Sequence, residues 1–294
     1  MRRRWRLLIG LGVIGAGGLL ALEWKASSRA IHPPAADVPW SLADYPGLHA
    51  QEVRVPSRSG LTLAGRFFRG RGRAAVVLSH GYGANQDELL PVVSALHAAG
   101  LGAFTYDMRG TGRTGGEVTF GTLEQQDLRS AVDHVAGRDD VDPGRIGAFG
   151  FSLGASVTLM AAADDRRIRA VVADSAWSDV DHWLTPRLDD AVLHPNDPFS
   201  PLSLRLVELR TPTRLGELHP HRDVRRISPR PILFLHGQAD EAVPAKDSEI
   251  NHAAAREPKE LWVIPGARHG DSMRPGGAAS SRRISDFLVQ ALSR

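Results

Sequence analysis

The sequence predicts an α/β fold: a mostly parallel, eight-stranded sheet with helices on both faces. Three observations carry that reading. From residue 51 to the end of the chain, short apolar runs alternate with helix-spaced stretches. Runs such as AAVVL at 74–78 and AVVA at 170–173 have no polar interruption, as expected of strands buried on both faces. Finally, 294 residues with 42% apolar and 23% charged content suffice for one large core.

The elements follow in order. Residues 52–56 and 61–68 read as a hairpin around 57–60. A strand at 74–79 precedes a helix over 88–99, which keeps Leu89, Leu90, Val93 and Leu96 on one side and stops at Gly100. Residues 101–107 return to a strand. A helix over 122–135 brings Leu123, Leu128, Ala131 and Val135 into phase. Strand 145–149, helix 153–163 and strand 170–174 come next. Strands 231–236 and 260–264 flank a helix at 247–255, and an amphipathic helix at 284–292 closes the chain. No internal repeat is visible. In such sheets the active groups stand on loops beyond the C-terminal ends of the strands.

The N-terminus is of a different kind. Arg2, Arg3, Arg4 and Arg6 precede an apolar run at 7–22 (LLIGLGVIGAGGLLAL), which Glu23, Trp24 and Lys25 end. A basic start before an apolar stretch is the pattern of a signal anchor or a secretory signal. Trp5 and Trp24 bracket the run as interfacial aromatics do. Residues 1–26 therefore read as a membrane anchor, with a signal cleaved near 26–30 as the alternative. Residues 27–46, rich in Ala and Pro, read as a linker, and 47–294 as the domain. Positive charge before the span predicts a single-pass protein of the cell membrane with its domain outside the cytoplasm. Cleavage would make it secreted.

The net charge is +3, and removing the four N-terminal arginines leaves −1. No broad basic field implies a nucleic-acid partner. There is no cysteine, so disulfides, thiolate metal sites and a thiol nucleophile are excluded. Nothing in the sequence calls for a cofactor or a metal. His219, His221 and Asp223 cluster, but on a loop where solvated surface is the expected role.

The chemistry gathers in five short segments. Gly150-Phe151-Ser152-Leu153-Gly154 is a G-x-S-x-G sequence between a strand and a small-residue helix. This is the setting of a nucleophile elbow, with Ser152 raised into the open. A serine needs a base, and the base a carboxylate. His269, in the loop PGARHG after the last strand, suits the base. Asp240, in HGQADEAVP after the preceding strand, suits the acid, with Asp174 as the second candidate. Glu241 is adjacent to Asp240, but successive loop residues point apart. An oxyanion needs two donors. The N–H of Leu153 is one, and Tyr82 N–H, in HGYGAN, is the other. His80 precedes Ser152 in the chain, which argues for a structural hydrogen-bonding role.

Together, HGYGAN, DMRGTGRTGG, GFSLG, HGQADEAVP and GARHG resemble the α/β-hydrolase superfamily. They are most similar to its dienelactone hydrolase-like, prolyl-oligopeptidase-like and serine-aminopeptidase-like branch. The resemblance spans roughly residues 51–294. It implies Ser152, His269 and Asp240 as the triad, and Tyr82 and Leu153 as oxyanion donors. The DMRG segment resembles a turn of that fold that is usually structural, and Thr114 stands where a serine is common there.

Between 177 and 226 the alternation lapses, and Trp183, Leu184, Leu188, Val192, Leu193, Phe199, Leu202 and Leu206 are scattered among prolines and charges. A small cap over the site is expected there, or residues that only pack onto the domain. The expected activity is hydrolysis of carboxylic esters or thioesters. A peptidase on the same triad and a tethered binding protein are the alternatives, and the oligomeric state is open.

Overall fold

The computed structural model describes residues 2–180, 200–274 and 277–293, with the side chains of 2–16 excepted. Its sheet runs in the order β1-β2-β4-β3-β5-β6-β7-β8. The strands are β1 (Ala50–Pro56), β2 (Thr62–Phe68), β3 (Ala75–Ser79), β4 (Gly102–Tyr106), β5 (Ile146–Phe151), β6 (Ile168–Asp174), β7 (Ile232–Gly237) and β8 (Lys259–Ile264). β2 pairs antiparallel with β1 and β4, and the other neighbours pair parallel. The predicted hairpin, strands and mostly parallel sheet are therefore present.

Alternation along each central strand feeds two cores. Val76 and Leu78 of β3, with Leu233 and Leu235 of β7, point to one face. There they meet α2 (Leu90–Ala98) and α8 (Ala278–Leu292). Ala75, Val77, Ile232 and Phe234 point to the other face. It is covered by α3 (Glu124–Ala136), α4 (Leu153–Asp164) and α7 (Ala245–Ala254). Each fully buried Val, Leu, Ile or Phe contributes about 1.5–3 kcal/mol, so both cores press the central strands into one register. β3 lies between β4 and β5. The chain thus reverses its direction of travel across the sheet there, opening a crevice at the strands' C-terminal ends.

The N-terminal segment departs from expectation. One helix, α1 (Arg2–Ile31), runs through the apolar stretch and through the start of the expected linker. Most of the predicted span, residues 7–16, lies outside the described side chains. Among the described residues no helix is long and apolar enough to cross a membrane, so the anchor finds no support. Instead the C-terminal end of α1 is seated on the domain. Ala26, Ser27, Ala30 and Ile31 are buried, and α1 packs on α5 (Pro201–Arg210). Arg210 Nη1 donates to Ser27 Oγ at 2.6 Å and to Ser28 Oγ at 2.9 Å, with its guanidinium over the Trp24 ring. Buried Glu23 accepts from Ser200 Oγ. The rest of the expected linker also lies on the domain: Ala36 N–H donates to Gly83 C=O, and Trp40 Nε1 to Asp87 C=O.

Most of the apolar residues of the expected cap, 177–226, cannot be followed as a cap among the described residues. Trp177 and Val180 belong to the main core. The scattered apolar residues from 183 to 199 lie outside the described residues. Beyond them, Leu204, Val207, Leu215, Leu218 and Val224 all pack into the same core. His219 is tied to Asp179 Oδ2 (2.6 Å) and Gly216 C=O (2.8 Å), at the start of α6 (Pro220–Asp223). Among the described residues no cluster of three ligands is placed to hold a metal.

Candidate active site

β5 ends at Phe151 and α4 begins at Leu153, leaving one residue for the turn. That residue, Ser152, adopts φ 54° and ψ −121°, a region costly for any residue with a Cβ. The turn closes only because its flanks are bare. A Cβ on Gly150 would lie 2.2 Å from Gly154 C=O, and one on Gly154 would lie 2.3 Å from Ser79 C=O. Ser152 N–H donates to the carbonyl of Asp174 at 2.8 Å, which ties the elbow to the end of β6. The hydroxyl stands at the positive end of α4.

His269 Nε2 lies 3.1 Å from Ser152 Oγ, and its Nδ1 lies 2.6 Å from Asp240 Oδ2. Residues 117 and 29 positions apart thus form one hydrogen-bonded chain. The Asp240 side chain is fully buried. Its other oxygen accepts the N–H groups of Ala242 (2.9 Å) and Val243 (2.8 Å). Burial pushes its carboxyl upward, but hydrogen bonds from His236, His269 and Val243 N–H outweigh this and hold it well below the usual range. Asp240 is therefore an ionised acceptor, and the His269 proton belongs on Nδ1, leaving Nε2 free to accept from Ser152.

Asp174, the second candidate acid, has other partners. Ser272 Oγ and Ser175 Oγ donate to its two carboxyl oxygens. Burial raises its carboxyl above the ordinary value.

Leu153 opens α4, so its N–H has no carbonyl four residues back within the helix. Tyr82 lies in the loop after β3, and its backbone direction is set by its neighbours. Gly81 N–H donates to Glu88 Oε2 at 2.7 Å, and His80 Nδ1 lies 2.7 Å from Gly81 C=O. His80 Nε2 accepts Met108 N–H at 2.9 Å, so Nδ1 carries the proton and donates. A planar trans peptide sends Tyr82 N–H away from that carbonyl. Burial lowers the basicity of His80, which keeps it neutral. These contacts match the structural role expected of His80.

Three residues at the site escaped sequence reasoning. His236, four positions before Asp240, lies 3.4 Å from Asp240 Oδ2 and 2.8 Å from Val243 C=O. Burial lowers its basicity, but Asp240 and Val243 C=O more than offset this and raise it. Phe151 places its ring against the His269 imidazole, 4.8 Å between centroids. Glu88 carries no motif at all. Only the i,i+4 spacing of His236 and Asp240 at a strand end was there to be noticed. The Tyr82 side chain adds a further contact, because its hydroxyl donates to Ala30 C=O of α1 at 2.8 Å.

A separate cavity of about 620 Å³, lined by Arg166, Arg169, Phe287 and Leu292 among others, has no part in this arrangement. It lies at the start of β6 and β7, the opposite edge of the sheet.

The comparisons with known proteins agree on the fold. The family model described as X-Pro dipeptidyl-peptidase (S15 family) matches residues 42–198. The "Uncharacterized protein Rv2307c" of Mycobacterium tuberculosis is 30% identical over 96% of this chain and 94% of its own length. The "Uncharacterized protein YfhR" of Salmonella typhi is 31% identical over 83% of each chain. Among solved structures, the Pyrococcus furiosus esterase Pf2001 superposes with a TM-score of 0.74 at 21% identity, covering 90% of this chain and 98% of that one. Est1E from Butyrivibrio proteoclasticus, solved with ferulic acid bound, superposes at 0.63 and 18% identity, over 82% of this chain and 100% of its own.

Proposed function

This chain belongs to the X-Pro dipeptidyl-peptidase (S15) family and is an α/β-hydrolase enzyme, and from that premise we propose that it hydrolyses carboxylic esters or thioesters through Ser152, His269 and Asp240. The observation that carries the reading is the hydrogen-bonded chain from Ser152 Oγ through His269 to a buried, ionised Asp240.

In this mechanism His269 Nε2 takes the Ser152 proton as Oγ attacks the substrate carbonyl carbon. The imidazolium so formed is held by Asp240. The carbonyl oxygen becomes an oxyanion, and the N–H groups of Leu153 and Tyr82 receive it. Collapse breaks the bond to the leaving group, which takes the proton from His269. Water then enters by the same route and releases the acid from the acyl-enzyme. No step needs a cofactor.

Ester substrates are favoured by the likeness to esterases over about nine-tenths of the chain. A second reading, a peptidase on the same three residues, rests on the S15 family match, which includes Ser152 and ends before Asp240 and His269. A membrane tether is not part of the proposal. The test is Ser152→Ala. It is expected to abolish both turnover of p-nitrophenyl esters and labelling by a fluorophosphonate probe, with an unchanged thermal midpoint. Labelling at another serine would sink the assignment. A parallel panel of aminoacyl anilides separates the two substrate classes.

A further inference from the structure

Glu88 is a carboxyl at the site that the mechanism above does not use. It sits in the 3-10 turn Gln86–Leu89 that leads into α2. Its neighbour Asp87 turns away and pairs with Arg66. Glu88 turns inward, where Oε2 accepts Gly81 N–H at 2.7 Å. The same region holds Phe151: a Cβ on Gly81 would lie 3.2 Å from the Phe151 ring and 3.3 Å from Glu88 Oε2. Phe151 in turn lies against His269. Two titratable groups on other elements act on the Glu88 carboxyl through their charge, His269 from the loop after β8 and Asp174 from the end of β6. Asp240 and His236 act beyond them, through His269 and Asp174.

We infer that Glu88 is a positioning residue for this site, which in its ionised form grips the Gly81 amide and stabilises the imidazolium formed on His269. The inference rests on the hydrolase reading above. Both peptide planes beside Gly81 are pinned, one by Glu88 through N–H and the other by His80 through C=O. Glu88 and His80 together therefore aim the Tyr82 N–H. A carboxylate holds an amide N–H about twice as strongly as a neutral acceptor does. The charge has a second effect. A protonated His269 favours ionisation of Glu88, and linkage requires that ionised Glu88 favour the imidazolium equally. Burial raises the Glu88 carboxyl to about 7, with Asp174 adding to the rise and Gly81 N–H and His269 opposing it. The group therefore changes charge near neutral pH.

The sign has two consequences. Above about pH 7 the ionised form is present and the site is at full rate. Below it Glu88 is neutral and the advantage is gone. Stability runs the other way. A carboxyl whose folded pKa is raised holds its proton in the folded chain after the unfolded chain has lost it. Stability therefore falls as pH rises from the ordinary glutamate value to about 7. Glu88→Gln keeps an acceptor for Gly81 N–H and removes the charge.

The experiment measures the second-order rate of fluorophosphonate labelling of Ser152 against pH, in the full chain and in Glu88→Gln. At pH 8.5 the variant is expected to be labelled about tenfold more slowly, and at pH 5.5 at the same rate as the parent. Its thermal midpoint is expected to be well above the parent's at pH 8.5, with a smaller gap at pH 5.5 that closes below the ordinary glutamate value of 4.5. A merely structural role predicts neither the pH-dependent ratio nor a variant that is slower yet more stable. A rate ratio that is independent of pH, or a variant labelled faster at pH 8.5, overturns the inference. If Ser152 of the parent is not labelled at any pH, the hydrolase reading fails separately. The inference is then decided by side-chain NMR of the Glu88 carboxyl. A midpoint near 7 that rises in His269→Gln keeps the coupling, and an ordinary glutamate midpoint removes it.

Discussion

The elbow at residues 150–154 and the seat of α1 at residues 23–31 both border the site, but they are held in opposite ways. The elbow depends on five consecutive residues and the strand beside them. Gly150 and Gly154 meet backbone within 2.3 Å of where a Cβ would stand, so the turn has one solution. The seat of α1 is assembled from distant segments. Tyr82 and Val118 supply donors to the last carbonyls of the helix, Arg210 binds Ser27 and Ser28, and Ser200 binds Glu23. A tight local constraint fails all at once when one part is changed. A distributed one loses about a kilocalorie per mole per hydrogen bond. The difference predicts where substitutions act on chemistry and where they act on stability.

The largest effect is expected at the Asp240 end of the relay, where one carboxylate orients the imidazole. Asp240→Asn is expected to lower kcat by about 10⁴, the scale of the same change in a serine protease. Asp174→Asn, whose carboxyl is held by serines instead, is expected to stay within about tenfold, measured as steady-state ester turnover. A reversal of these two results would make Asp174 the orienting acid.

Truncation sharpens the contrast at the other region. Removing residues 1–18 leaves Glu23, Ala26, Ser27, Ala30 and Ile31 in place and is expected to keep both turnover and thermal midpoint. Removing 1–32 uncovers the surface beneath Ala30 and Ile31 and takes the acceptors from Tyr82. The midpoint is then expected to fall by roughly 10 °C, from several kcal/mol of lost burial and hydrogen bonding. Equal midpoints for the two truncations would mean that α1 is not seated as described.

The smallest change isolates one contact of the seat. Tyr82→Phe deletes the hydroxyl that reaches Ala30 C=O and keeps both the ring and the backbone N–H. A loss of about 1 kcal/mol in stability is expected, read by denaturant unfolding, with kcat/KM within about threefold of the parent. A large loss of kcat at unchanged stability would show that the tether to α1 holds the oxyanion donor in place.

Much of the domain was legible in the chain order of its residues. Strands buried on both faces read as unbroken apolar runs, so the strands could be placed one by one. Ser152 was legible because its neighbours must be small and must lie between a strand and a helix. His269 and Asp240 were legible because each lies in the loop that follows a strand, in the order that such a fold uses. These are constraints that a few consecutive residues express. The seat of α1 was not legible. The residues that follow the apolar run, Glu23 to Ile31, carry no pattern that marks a protein contact, and only their bonds to Tyr82, Val118, Ser200 and Arg210 show what they meet. Glu88 was hidden for the same reason. Nothing within its own turn separates it from Asp87, and the tertiary structure alone turns one carboxylate toward Arg66 and the other toward Gly81. The sequence by itself determined the sheet and the glycine-flanked elbow, because periodicity and steric bareness are local properties. Only the tertiary structure decided which face α1 covers and which acids surround His269, because burial and electrostatic coupling arise between residues that meet only when the chain is folded.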